Sequence, residues 1–186
     1  MTRSGPRISA PAGRDTAAVV GTLLALGLLG GVLWPQVVVP AEFTKLAGGG
    51  TMGEDQLSRQ FAADAWYVVI AVAAGLPAGA LLSWWRSRDP LLTSVLLVVG
   101  AGLAAAAMAL VGHLLGPGST QAALDAAPVG ARVPERLDVD TFVAYLAWPV
   151  GVLAGALFVL LGKGPEEGAW RRGEPRGSVS QTEPAN

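Results

Sequence analysis

The sequence predicts an all-α integral membrane protein, a four-helix bundle with a small extracytoplasmic cap. Four runs, residues 17–39, 65–85, 91–115 and 142–162, contain no Asp, Glu, Lys or Arg. Each run is near or above the ~20 residues that cross a hydrocarbon core ~30 Å thick. Because a backbone in lipid must satisfy its own polar groups, runs of this kind form helices. The chain is 52% hydrophobic and 15% charged, whereas soluble domains average about 25% charged residues.

The first helix is expected at about residues 16–39, starting near Thr16. Pro35 disfavours helical geometry in the residue before it, so the regular part is expected to end at Trp34. The uncharged run is longer than the roughly 7–15 apolar residues of a signal peptide. We therefore interpret it as a retained helix, with a cleaved signal peptide as the alternative.

The second helix is expected at about residues 53–85. Thr51 and Glu54 have the spacing of a capping box at its start. Leu57 and Phe61 then fall on one helical stripe, so the helix is expected to begin outside the bilayer and project above it. It ends with two tryptophans, which are typical of a membrane interface.

The third helix is expected at residues 90–115. Asp89 is a suitable N-cap, and Pro90 would occupy the first helical position, where a missing N–H costs nothing. The turn before it is very short, so the second and third helices are expected to form an antiparallel hairpin.

The fourth helix is expected at about residues 141–162, after the long loop 117–141. Ser119 is expected to cap a short helix in this loop. The loop before the second helix contains three consecutive glycines and is expected to be flexible. Together with the projecting base of the second helix, the long loop is expected to form the cap.

The tails flank a predicted transmembrane domain of residues 16–163. Residues 1–15 and 164–186 are expected to be disordered, because they cannot bury enough apolar area to offset the entropy of ordering. Most of the basic residues lie in the tails and in the turn between helices two and three: Arg3, Arg7, Arg14, Arg86, Arg88, Lys163, Arg171, Arg172 and Arg176. The other two loops contain Lys45, Arg59, Arg132 and Arg136. The positive-inside rule therefore predicts a protein of the cell (inner) membrane with both termini in the cytoplasm.

Glycine pairs at four-residue spacing recur in three of the predicted helices: Gly27 and Gly31, Gly75 and Gly79, and Gly151 and Gly155. Small residues at this spacing let helix backbones approach closely in lipid. We interpret them as intramolecular packing positions. Use of one such face by a partner helix or for self-association is the alternative.

Two prolines lie inside the predicted spans, Pro77 in the second and Pro149 in the fourth. Each removes one intrahelical hydrogen bond and favours a kink. Kinked helices occur in transporters, where unwound backbone binds ions or substrates. They also occur in inert bundles, where neighbouring helices satisfy the freed carbonyls. Both interpretations stay open.

Asp64 and His113 are the candidate functional residues. Asp64 lies within one turn of the predicted outer boundary, and His113 lies at similar depth near the end of the antiparallel third helix. We expect the two to face one another, or Arg132 or Arg136 of the overhanging loop. An Asp–His pair can relay protons, because histidine titrates near neutral pH. Structural hydrogen bonding at the membrane surface is the alternative.

Composition argues against several classes of function. The chain has no cysteine and one histidine, which excludes thiol chemistry, thiolate metal sites and multi-histidine metal sites. The predicted spans hold no charged residue of the kind that ion pumps place inside the membrane. Metalloprotease, nucleophile-elbow and phosphate-binding loop motifs are missing from the sequence. We therefore expect no enzyme activity, no cofactor, no metal and no nucleic-acid partner.

The sequence resembles an actinobacterial family of small four-helix membrane proteins, classed as domain of unknown function 2567. The resemblance is carried by "ADAWYVVIAVAAGLPAGALLSWWRSRDP", by the small residues of the third helix and by "LAWPVGVLAGAL". It covers roughly residues 17–162. It implies the four-helix membrane fold and no known reaction, ligand or catalytic residue.

Together these patterns predict a non-enzymatic accessory or scaffold protein of the cell envelope. Its expected surroundings are the lipid bilayer and either a membrane-protein partner or a second copy of the chain. The alternative is a small transporter or permease subunit that uses the Pro77 and Pro149 kinks, with Asp64 and His113 as a gate.

Overall fold

The computed structural model describes residues 10–85 and 90–162 of the chain. It confirms the predicted fold class, because four helices are long and apolar enough to cross a membrane. The elements in chain order are α1 (Ala10–Val37), β1 (Glu42–Leu46), β2 (Gly49–Thr51), α2 (Glu54–Trp85), α3 (Pro90–Leu115), α4 (Thr120–Ala126), β3 (Arg132–Pro134), α5 (Phe142–Tyr145) and α6 (Ala147–Gly162). The predicted Asp89 cap and the tail 164–186 lie outside the described residues.

Helix α1 is longer at its start than the sequence predicts. It begins at Ala10 instead of Thr16, so residues 10–15 are helical instead of disordered. A proline in the first turn, here Pro11, is compatible with this start. The helix also passes Trp34 and includes Pro35, and the Val38 N–H donates to the Trp34 carbonyl oxygen at 3.2 Å. Pro35 therefore does not end the helix, because it removes only its own donor.

The four long helices pack as two close pairs, α1 with α3 and α2 with α6. Glycines make both contacts possible. A Cβ on Gly27 would overlap the backbone of Ala104, and a Cβ on Gly79 would overlap the Val152 carbonyl oxygen. The α3–α6 and α1–α2 contacts join the pairs into one bundle. In lipid, where the hydrophobic effect between helices is weak, such close backbone contact is the main attraction.

Buried aromatic donors connect the helices of the bundle. Aromatic side chains donate hydrogen bonds from one helix to another: Trp34 Nε1 to Ala63 O at 2.9 Å, Tyr67 Oη to Ala105 O at 2.8 Å and Trp148 Nε1 to Met108 Sδ at 3.4 Å. The Trp34 and Tyr67 rings also meet edge to face, with centroids 5.3 Å apart. Each buried ring donor therefore has a partner on another helix, as a low-dielectric interior requires.

The end of the bundle that carries the sheet is called the cap here, residues 38–53 and 116–141. Strands β1, β2 and β3 form an antiparallel sheet in the order β2-β1-β3. The predicted flexible glycine loop is therefore wrong, since Thr44 pairs with Thr51 in a hairpin. Gly49 has φ 147°, which favours glycine at this turn. The predicted capping box is also not formed, because Thr51 belongs to β2.

The predicted fourth helix is two helices, α5 and α6. Pro149 has no N–H to donate to the Tyr145 carbonyl, so the regular bonding pattern is interrupted at Leu146. Helix α6 begins two residues before Pro149, which therefore lies in the first turn. The interruption lies within the single apolar span Phe142–Gly162, and Leu146 keeps helical φ and ψ there, so the lost hydrogen bond expected of Pro149 is accommodated one turn before it.

Candidate functional site

The 135–140 segment, between β3 and α5, is the centre of the candidate site. The Glu135 N–H donates to the Ala41 carbonyl oxygen at 2.7 Å, and the Arg136 N–H donates to Thr120 Oγ1 at 2.7 Å. Leu137 is 3% exposed and belongs to the hydrophobic core. The segment is therefore fixed to the residue before β1, to α4 and to the core of the bundle.

His113, near the end of α3, contacts this segment through both ring nitrogens. Nδ1 pairs with Asp138 Oδ1, and Nε2 is bonded to Nη2 of Arg136. The side chain of His113 is 28% exposed and that of Asp138 is 50% exposed, so water reaches the cluster. The site is thus a partly hydrated Asp–His–Arg cluster at the boundary between the bundle and the cap.

The expected pairing of Asp64 with His113 is wrong. Both ring nitrogens are bonded to the 135–140 segment, and Asp64 Oδ1 is buried with no hydrogen-bond partner. The physical reason is the helix pairing. Helix α3 packs mainly along α1 and α2 packs mainly along α6, and the contact between α2 and α3 is slight, so a shared depth does not bring the two side chains together. Of the two arginines considered, Arg136 contacts His113, whereas Arg132 pairs with Glu42 at 3.6 Å.

Three carboxylates of the 135–140 segment lie close to one another. Gln60 of α2 donates to Glu135 Oε1 at 3.3 Å and to Asp140 Oδ2 at 3.0 Å. Burial raises the pKa of the Glu135 carboxyl, and the negative charges of Asp140 and Asp138 raise it further. Glu135 therefore binds a proton more readily than an exposed glutamate does.

We expect Glu135→Gln to raise the thermal stability of the protein at neutral pH. The raised pKa means that ionised Glu135 lowers the free energy of unfolding, an effect that disappears as the pH falls through that pKa. The amide removes the charge and retains an acceptor for Gln60. The expected gain is small, on the order of 1 °C in Tm, because the carboxyl is only partly buried and solvent screens its charge.

The measurement is Tm in detergent at about pH 7.5 and about pH 4.5, with the gain present at the higher pH and absent at the lower. Glu54→Gln is the matched control, since its charge lies at the start of α2, where a negative charge is favourable. A loss of stability in Glu135→Gln at neutral pH would contradict the argument.

An open cavity of about 470 Å³ adjoins the cluster. It lies between the sheet, α4 and the 135–140 segment, with Phe43 and Leu124 as its apolar wall and Arg136, Asp138 and Asp140 on its polar side. Within the described ranges, no three His, Cys, Asp or Glu side chains are arranged to hold a metal ion. The polar side chains of this cavity belong to the same segment that His113 contacts.

The six predicted packing glycines lie inside the bundle. Gly27 and Gly31 contact α3, where a Cβ on Gly31 would come within 2.7 Å of the Met108 carbonyl oxygen. Gly75 and Gly79 contact α6, while Gly151 and Gly155 contact α2. These faces are therefore occupied within the chain and are not presented to another protein.

The two prolines do not meet at a common site. Pro77 lies within α2 and is exposed, and Pro149 lies in the first turn of α6. The backbones of α2 and α6 touch at Gly79 and Val152. No passage therefore runs between these two helices at that level.

The sequence did not identify Gln60 or Asp138 as site residues. It gave Arg136 only as one of several possible partners of His113. One available signal was the order Arg136-Leu137-Asp138. In an extended segment, alternate side chains point to the same side. A buried apolar residue flanked by two charges therefore predicts that both charges lie on the opposite side and face the same neighbour.

The fold and the site define the class of protein. Four long apolar helices with a small polar cap are the architecture of a multi-pass membrane protein. No family model, curated protein or solved structure matches this chain. The resemblance to the actinobacterial family therefore stays a prediction.

Proposed function

We propose that this protein is a non-enzymatic accessory or scaffold component of the cell envelope, and that it binds another envelope component through its cap. The observation that carries the proposal is the separation of two regions. The interior of the bundle is closed by glycine contacts and aromatic hydrogen bonds, whereas the charged side chains and the 470 Å³ cavity lie at the cap.

Orientation is part of the same proposal. The basic residues of both tails and of the turn after α2 favour cytoplasmic termini in the cell membrane. The cap, with its acidic 135–140 segment, would then face outward. A partner with a basic or amide-rich surface is the chemical complement of that segment.

The test is photo-crosslinking in the native cell. A photoreactive amino acid is placed at Gln121, which is exposed and lines the cap cavity. We expect a discrete adduct heavier than the 18.9 kDa chain. An adduct of twice the chain mass would identify a second copy as the bound component, and any other discrete mass would identify a different protein.

The matched control places the same photoreactive group at Val129. This residue is 68% exposed on the cap and does not line the cavity. A cap that binds through its cavity gives the adduct at Gln121 and not at Val129. If the Gln121 variant gave only the uncrosslinked monomer, while the same irradiation crosslinked a known complex, the proposal would be contradicted.

The transporter alternative receives less support from the packing. It requires the Pro77 and Pro149 regions to open a path, but α2 and α6 are in backbone contact between them. It also used Asp64 and His113 as a gate, but both ring nitrogens of His113 contact Asp138 and Arg136, and Asp64 Oδ1 has no hydrogen-bond partner. The scaffold proposal needs neither feature.

A further inference from the structure

His113 is held in one protonation form by its two contacts. Arginine has N–H donors and no acceptor, so Arg136 Nη2 donates and His113 Nε2 must accept. The proton of the neutral ring is then on Nδ1, from which it is donated to Asp138 Oδ1. The contacts therefore select the neutral Nδ1–H tautomer.

Protonation of the His113 ring disrupts its contact with Arg136 and not its contact with Asp138. A second proton on Nε2 places a donor against the Arg136 donor and a positive charge against the guanidinium. The Asp138 contact is retained, because a carboxylate also pairs with a charged ring. Acid therefore releases Arg136 and leaves Asp138 in place.

We propose that His113 is a pH-dependent latch, which fixes the 135–140 segment to the bundle at neutral pH and frees its Arg136 end in acid. The consequence reaches the cap cavity, since Arg136 and Asp138 both line it. Leu137, between them, is 3% exposed and packs in the hydrophobic core. Acid should therefore expose Leu137 and change the lining of the cavity.

Several titratable and charged groups lie near His113, and among them Arg136 and Asp138 contact its ring nitrogens. Those on the surrounding elements are Glu135, Arg136, Asp138 and Asp140 on the 135–140 segment, Asp64 on α2, Asp125 on α4 and Tyr145 on α5. Both ring nitrogens are taken by Arg136 and Asp138. Helix α1, which packs along α3, has no charged residue from 16 to 37. Protonation of Glu135 in acid stabilises the folded protein and so opposes the release of Arg136. A control that removes only the titration of residue 113 is therefore necessary.

The experiment uses the absence of cysteine from the chain. Leu137→Cys supplies a single buried thiol in the full-length protein, and its rate of reaction with a maleimide is measured in detergent. Each rate is divided by that of exposed Val129→Cys at the same pH, which cancels the intrinsic pH dependence of the thiol. We expect the ratio to rise on the order of fivefold between about pH 7.5 and about pH 5, as loss of one hydrogen bond predicts.

His113→Gln is the matched control for the latch. A glutamine can accept from Arg136 with its carbonyl oxygen and donate to Asp138 with its amide, and it does not titrate. Its ratio is expected to stay low at both pH values, whereas His113→Ala is expected to be high at both. An equal acid-induced rise in His113→Gln, or no rise with His113 present, would overturn the proposal.

A second measurement needs no change in sequence. The chain has a single histidine, so ¹⁵N-histidine labelling gives the NMR signals of His113 alone. At about pH 8 we expect the Nδ1–H tautomer, and in acid the doubly protonated ring. The Nε2–H tautomer at the higher pH would refute the assigned contacts even if the cysteine variant failed to fold.

Discussion

Gly155→Val is expected to prevent stable packing of α6 against α2. A Cβ at this position would overlap the Leu76 carbonyl oxygen and approach the Ala80 nitrogen to 2.9 Å. Both atoms belong to the backbone of α2, so neither can rotate away as a side chain can. We expect the free energy of unfolding to fall by about 3 kcal/mol, the upper range for overpacking. Titration with a denaturing detergent in mixed micelles measures it.

Gly102→Val is the matched control. Gly102 lies in α3 and is exposed, and a Cβ there would meet no atom within 4 Å. Both variants exchange a helical glycine for the same β-branched residue, so the difference between them isolates the collision with α2. We expect Gly102→Val to change stability by less than about 0.5 kcal/mol. Equal losses in the two variants would show that glycine acts at residue 155 through helix propensity and not through close packing.

The contrast between Gly155 and Gly102 also shows what the sequence can predict. Spacing alone identified the Gly27, Gly75 and Gly151 pairs, because close approach of helices needs a missing side chain at every fourth residue. Spacing does not identify the neighbouring helix. The pairing of α1 with α3 and of α2 with α6 depends on which surfaces fit, and that is a property of the assembled bundle.

The candidate site could be predicted less completely, because its contacts also depend on how the helices assemble. Depth placed Asp64 and His113 at one level, since depth follows from counting residues along a helix. Rotation about the helix axes and the course of the 135–140 segment decide which side chains meet. His113 therefore contacts Asp138 and Arg136, which lie 25 and 23 residues further along the chain. The β1–β2 hairpin escaped prediction because β2 is glycine-rich and has little strand propensity, which pairing with β1 overrides.

Trp34→Ala is expected to have an effect at least as large as that of Gly155→Val. Trp34 is 0% exposed, donates to the Ala63 carbonyl oxygen and meets the Tyr67 ring edge to face. Removal of a buried tryptophan costs about 3–5 kcal/mol in protein interiors, chiefly through lost contacts and the remaining cavity. Trp34→Phe retains much of the ring and loses the donor, so we expect a smaller loss of about 1 kcal/mol from the hydrogen bond.

Gly112 provides the decisive test of this packing. A Cβ at Gly112 would overlap Cε3 of Trp34 and lie 2.8 Å from its Cζ3. Gly112→Ala is therefore expected to destabilise the protein that contains Trp34, by about 1–3 kcal/mol. In the Trp34→Ala background the ring is gone, and the added methyl group fills part of the space that it leaves. The double-mutant cycle should show a coupling free energy above about 1 kcal/mol. Strict additivity of the two changes would mean that Trp34 does not occupy the surface of α3 at Gly112, and the α1–α3 pairing would have to be rejected with it.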